Sequence, residues 1–115
     1  MRKTAEKLVK AFKAGKSACC GNSSVAILRM KGSDRVDFAT FSLHGHPIVT
    51  VAPDGKVSIS FAGWPTVTTR SRINDICDGL IGERPVSQRA FGQYVYEKPV
   101  TSDNGEWYAV GNVND

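Results

Sequence analysis

Two arginines and three threonines lie together in Thr66-Val67-Thr68-Thr69-Arg70-Ser71-Arg72, just after a Trp64-Pro65 break. Hydroxyls and guanidinium groups at the start of a helix form an anion-binding set, because free backbone amides there add to the same field. Pro65 ends the preceding segment, and Thr68 or Thr69 is the expected N-cap. Ile73, Ile76, Cys77 and Leu80 then recur at i, i+3, i+4 and i+7, which predicts a helix over 69–80 with one apolar stripe. Gly79 marks its expected stop. Arg70 and Arg72 fall in the first turn, and Asp75 and Asp78 towards the end. The helix dipole favours the opposite order, by about 0.3–1 kcal/mol per exposed charge. An anion bound at the helix start would compensate; solvated or carboxylate-paired arginines are the alternative.

Other residues invite chemistry less specifically. His44-Gly45-His46 has the types for zinc or for acid–base catalysis. Gly45 suits a hairpin turn, however, and no further ligand is spaced nearby. A hydrolase or nuclease would need His44 or His46 beside a carboxylate such as Asp54. Cys19, Cys20 and Cys77 include no CxxC spacing and make an odd count, so neither a metal site nor a disulfide framework is expected. No catalytic residue, metal or cofactor is assigned.

The elements that position these groups can be read from periodicity. Ala5, Leu8, Val9 and Phe12 form a stripe in a helix over 4–14, with Gly15 as its stop. Lys3, Lys7 and Lys10 project opposite that stripe. Residues 1–16 carry a net +5, so with +4 overall the rest of the chain sums to −1. A lysine row of this kind meets phosphates or an acidic partner, or is merely solvated. Gly15–Ser24 reads as loop. Val25–Met30, Val36–Leu43, Pro47–Ala52 and Val57–Phe61 are strands joined by turn residues, an antiparallel meander. Phe91–Glu97 and Trp107–Val110 read as a closing hairpin around Asn104-Gly105. The 115 residues make one α+β domain, with a sheet of five or six strands and both helices on one face. No apolar run approaches the roughly 20 residues that cross a bilayer.

Three segments, AFKAGKSACCGNSSV, SLHGHPIVTV and SFAGWPTVTTRSRIN, resemble a group of small proteins encoded by tailed bacteriophages. That similarity spans residues 8–80, with His46 where asparagine is expected. It implies a phage origin and a cytoplasmic life in an infected bacterium, and brings no activity with it. The reading from the residues is a non-enzymatic nucleic-acid-binding accessory protein. Its contacts would be Thr68, Thr69, Arg70 and Arg72, assisted by Lys3, Lys7 and Lys10. An interaction protein inhibiting an acidic host or defence protein is the alternative, and a hydrolase using His44 or His46 comes third. Because no bridge or metal is assigned, far-UV circular dichroism should be unchanged by reductant and chelator. Loss of signal with either would show that the cysteines are structural.

Overall fold

The computed structural model describes residues 3–29, 36–52, 55–61, 67–89, 92–96, 98–99 and 107–113. Helix α1 (Lys3–Lys13) buries Ala5, Leu8 and Val9, the stripe its spacing predicts, while Phe12 packs half-buried beside them. Gly15 closes it with a φ of 71°. Its amide donates to the Phe12 carbonyl at 2.9 Å, and the Lys16 amide reaches the Ala11 carbonyl at 2.9 Å, a Schellman ending.

The sheet begins earlier than the sequence suggests. Ala18–Cys20, expected as loop, is strand β1, paired antiparallel with β2 (Ser23–Arg29). Three small residues are too short a run to display a period of two, which is why the strand was illegible. β3 (Val36–Leu43) and β4 (His46–Val51) follow as expected, then β5 (Lys56–Ile59). The β3–β4 turn has positive φ at both central residues, 52° at His44 and 80° at Gly45. That pair of angles matches the right-handed strand twist, and glycine supplies one without steric cost. The His44 amide also donates to the Asn22 carbonyl at 2.7 Å, joining this turn to the β1–β2 turn. A bulge between Phe41 and Ser42 in the pairing with β4 leaves Ile48 and Val49 both buried, although they are consecutive.

Helix α2 (Val67–Ile81) is longer at both ends than predicted. Thr68 and Thr69 are therefore inside the helix rather than capping it. Threonines at 66, 68 and 69 are all capping types, so residue type alone did not choose among them. Gly79 is also internal; the stop is Gly82, whose φ is 72° and whose amide meets the Asp78 carbonyl at 3.1 Å. Leu80 is still buried and Ile81 packs against the core, so apolar contact carries the helix past Gly79.

The expected C-terminal hairpin is replaced by a different pairing. β6 (Val86–Arg89), β7 (Gly92–Val95) and β8 (Lys98–Pro99) form a second, three-stranded sheet. β9 (Tyr108–Asn112) instead pairs with β5 and completes a six-stranded sheet of order β1-β2-β3-β4-β5-β9. Alternation identified two of these segments as strands but carries no information about distant partners, and Val-Ser-Gln-Arg shows no apolar period at all. The Asn104-Gly105 turn lies outside the described residues.

Both helices cover one face of the large sheet: α1 packs on β1 and β2, α2 on β4 and β6, and the two pack on each other. Inward from the strands come Val25, Ala39, Phe41, Leu43, Val49, Val51, Val57 and Ile59, all buried. The Phe12 and Phe41 rings meet at 5.8 Å. The α+β class is as expected. On its flank, α2 is tied to β6 by the Asn74 amide, which donates to the Val86 carbonyl at 2.8 Å and accepts from the Val86 amide at 2.9 Å. Asn74→Ala removes both partners from a buried backbone unit and should destabilise the protein by about 1–3 kcal/mol in urea unfolding. A change within experimental error would show that water replaces the clamp.

Candidate anion-binding interface

Position along α2 changes what the two arginines can do. With the helix starting at Val67, Arg70 is its fourth residue and Arg72 its sixth. Dipole effects fade beyond the first turn, so Arg70 stands at their margin and Arg72 outside them. What singles out Arg72 is burial. It is only 8 % exposed, and its Nε and Nη1 are buried with no hydrogen-bond partner among the described residues. Thr69 is also buried, Arg70 is half-buried, and neither is without a partner. Thr68 is exposed.

Of the carboxylates one turn further on, Asp75 is occupied through one oxygen only. Asp75, itself buried, pairs through Oδ1 with Arg84 Nη1 at 2.9 Å, and Asp78 Oδ2 lies 4.0 Å from the same nitrogen. Asp75 Oδ2 is buried without a hydrogen-bond partner. The sequence held a signal for this arrangement. Positions 69, 72, 73 and 76 obey the helical spacing i, i+3, i+4, i+7, and polar residue types at 69 and 72 masked it.

Lys7 and Lys10 are exposed on α1, which lies beside α2 on the same side of the sheet. Lys3 opens α1, and its side chain falls outside the described residues. The structure thus brings the lysine helix and the arginine helix together.

The catalytic alternatives gain no geometry. His44 and His46 are exposed, and His44 Nε2 lies 3.3 Å from Asn22 Nδ2 in the paired turns. Asp54 lies outside the described residues. Among the described residues no three His, Cys, Asp or Glu side chains cluster as a metal site. None of the three cysteines is in a disulfide; Cys19 is exposed and Cys20 half-buried. Burial pushes the Cys77 thiol up to about 12, the opposite of what a reactive thiolate needs. Burial, then the hydrogen bond and charge of Glu83, push the Tyr96 phenol well above its usual range. Its hydroxyl oxygen also lies 2.9 Å from the Val110 carbonyl, so its single proton has two acceptors, one of them on β9.

A shallow depression of about 380 Å³ lies on the sheet's other face, lined by Thr40, Pro47, Thr50, Ser58 and Trp107. It contains no charged side chain, so it does not complement a phosphate. No helix among the described residues is long and apolar enough to cross a membrane.

Two packed helices, one lysine-bearing and one arginine-bearing, over an antiparallel sheet define a small α+β protein. The chain belongs to the Kyanoviridae Gp96 protein family, a family of phage proteins, whose model matches residues 1–114. The match agrees with the phage origin implied by residues 8–80 and extends it through the C-terminal strands. No curated protein and no solved structure matches the chain.

Arg72→Met keeps an apolar stem in place and removes the unpartnered charge. It should raise stability by about 1–3 kcal/mol in thermal or urea unfolding at low phosphate. A loss of stability would assign Arg72 a structural role instead.

Proposed function

We propose that the chain is a non-enzymatic phage accessory protein that binds nucleic acid through phosphate contacts on its helical side. One observation carries this reading: α1 and α2 lie side by side, so exposed Lys7 and Lys10 and half-buried Arg70 ride on neighbouring helices. Lysines act as mobile point charges that neutralise phosphates without fixed geometry, whereas guanidinium groups orient them. Lys3 and Thr68 complete the set, while Thr69 and Arg72 are buried and support it from within the helix packing. Contacts of this kind read the backbone rather than base edges, so binding is strong at low salt and nearly indifferent to sequence.

The test is a salt titration of binding to single- and double-stranded oligonucleotides. Engagement of the lysine and arginine side chains predicts a log–log slope of about −3 to −4 on duplex DNA. Lys7→Ala/Lys10→Ala should reduce its magnitude by about one to two. Absence of binding to either nucleic acid at low salt would discard this reading and leave an acidic host or defence protein as the partner of the same surface.

A further inference from the structure

We propose that the depression on the uncovered side of the large sheet binds a neutral saccharide of one or two rings. The site is separate from the helical surface assigned to nucleic acid and does not depend on it.

Strand register builds the site. Thr40 on β3 stands opposite Thr50 on β4, and Thr50 stands opposite Ser58 on β5. Their strand neighbours Ala39, Val49, Val51, Val57 and Ile59 are buried, so alternation turns the three hydroxyl residues to the other side of the sheet. Adjacent strands lie about 4.8 Å apart, which spreads the row over about 10 Å. Pro47 and Trp107 complete the lining. Trp107 is 46 % exposed, a large area of indole left open to water. Among the described residues, neither its ring N–H nor the three hydroxyls have a hydrogen-bond partner.

An open indole beside uncharged hydroxyls selects the occupant. The faces of a sugar ring are C–H surfaces of slight positive charge, which the negative face of an indole attracts. Its rim of hydroxyls can give or take hydrogen bonds, as threonine and serine can, and so reproduces those of the water it displaces. No charged side chain lines the depression, so an acidic sugar or a phosphate gains no partner there. Lys56, the next residue along that side of β5, is not part of the lining. A nucleobase also stacks on tryptophan, but in a strand it brings phosphates with it. The lysines that would meet them ride on α1, which packs on the opposite face. The volume of about 380 Å³ and the shallow form suit one or two rings rather than an enclosed ligand.

The deciding experiment titrates the ¹⁵N-labelled protein with cellobiose, maltose and lactose and follows the amide and indole N–H resonances. Shifts should gather at Thr40, Thr50, Ser58 and the Trp107 indole for at least one disaccharide. The expected dissociation constant is about 1 mM, the strength that one stacked ring and a few neutral hydrogen bonds support. Trp107→Ala should weaken binding about tenfold or more. Thr50→Val, which keeps the side chain's shape and removes only its hydroxyl, should weaken it about threefold to tenfold, and it serves if Trp107→Ala disturbs the fold. Lys7→Ala/Lys10→Ala should leave sugar binding unchanged, and glucuronate should bind no tighter than glucose. Silence of these resonances with all three disaccharides would overturn the proposal. So would shifts that survive both Trp107→Ala and Thr50→Val, since the sugar would then lie elsewhere. Tighter binding of uridine or adenosine than of any sugar would overturn it in favour of a base-stacking platform. A dimer in sedimentation that Trp107→Ala dissolves would overturn it in favour of a second copy of the chain.

Discussion

A six-stranded sheet with one apolar face is unstable in water until something covers that face, and this molecule covers it with two helices. Phe41, Val49, Val57 and Ile59 are all but fully buried beneath them. Each such side chain contributes about 1.5–3 kcal/mol relative to exposure. The requirement dictates where α1 and α2 lie and fixes their order along the sheet, α1 over β1 and β2 and α2 over β4. It also determines that the helix bearing the lysines and the helix bearing the arginines lie side by side. The opposite face, with Thr40, Thr50 and Ser58 in a cross-strand row, is left to water.

Covering the core in this way has an electrostatic consequence on α2. Its buried side contains Ile73, Ile76, Cys77 and Leu80, but also Thr69, Arg72 and Asp75. Asp75 is partly compensated by Arg84 from the segment that leads into β6, and Asn74 holds that segment's backbone. Among the described residues, Arg72 Nε and Nη1 and the second oxygen of Asp75 are all left without a hydrogen-bond partner. Proteins seldom leave a desolvated charge unmatched, since the penalty exceeds what a surface ion pair returns. The same helix therefore combines a stabilising flank with a locally unfavourable one.

Much of the fold was legible because it is written in short-range spacing. The α1 stripe, the α2 stripe and the Leu43-His44-Gly45-His46 turn each depend on residues within a few positions of one another. β1 escaped because Ala18, Cys19 and Cys20 have no contrast of polarity along so short a run. β6 escaped for a similar reason. The partner of β9 escaped for a different one: pairing of Ile59 with Tyr108 is a tertiary event that local chemistry does not encode. For the candidate site, residue type pointed to Arg70 and Arg72 through the helix dipole. Burial distinguishes them, and burial followed from a helical phase that polar residues had disguised.

That pairing of β5 with β9 also bears on how the molecule assembles. β1 to β5 add in chain order, each beside its predecessor, so their contacts close small loops and form at modest entropic expense. β9 instead follows α2 and the whole second sheet in the chain, so its docking on β5 closes a long loop. Contacts so distant in sequence slow folding, because the loop must be closed before the pairing returns any energy. The meander is thus the part suited to form first, with the open edge of β5 exposed in the interval. An unpaired edge of that kind is where one copy of a chain can capture the strand of another.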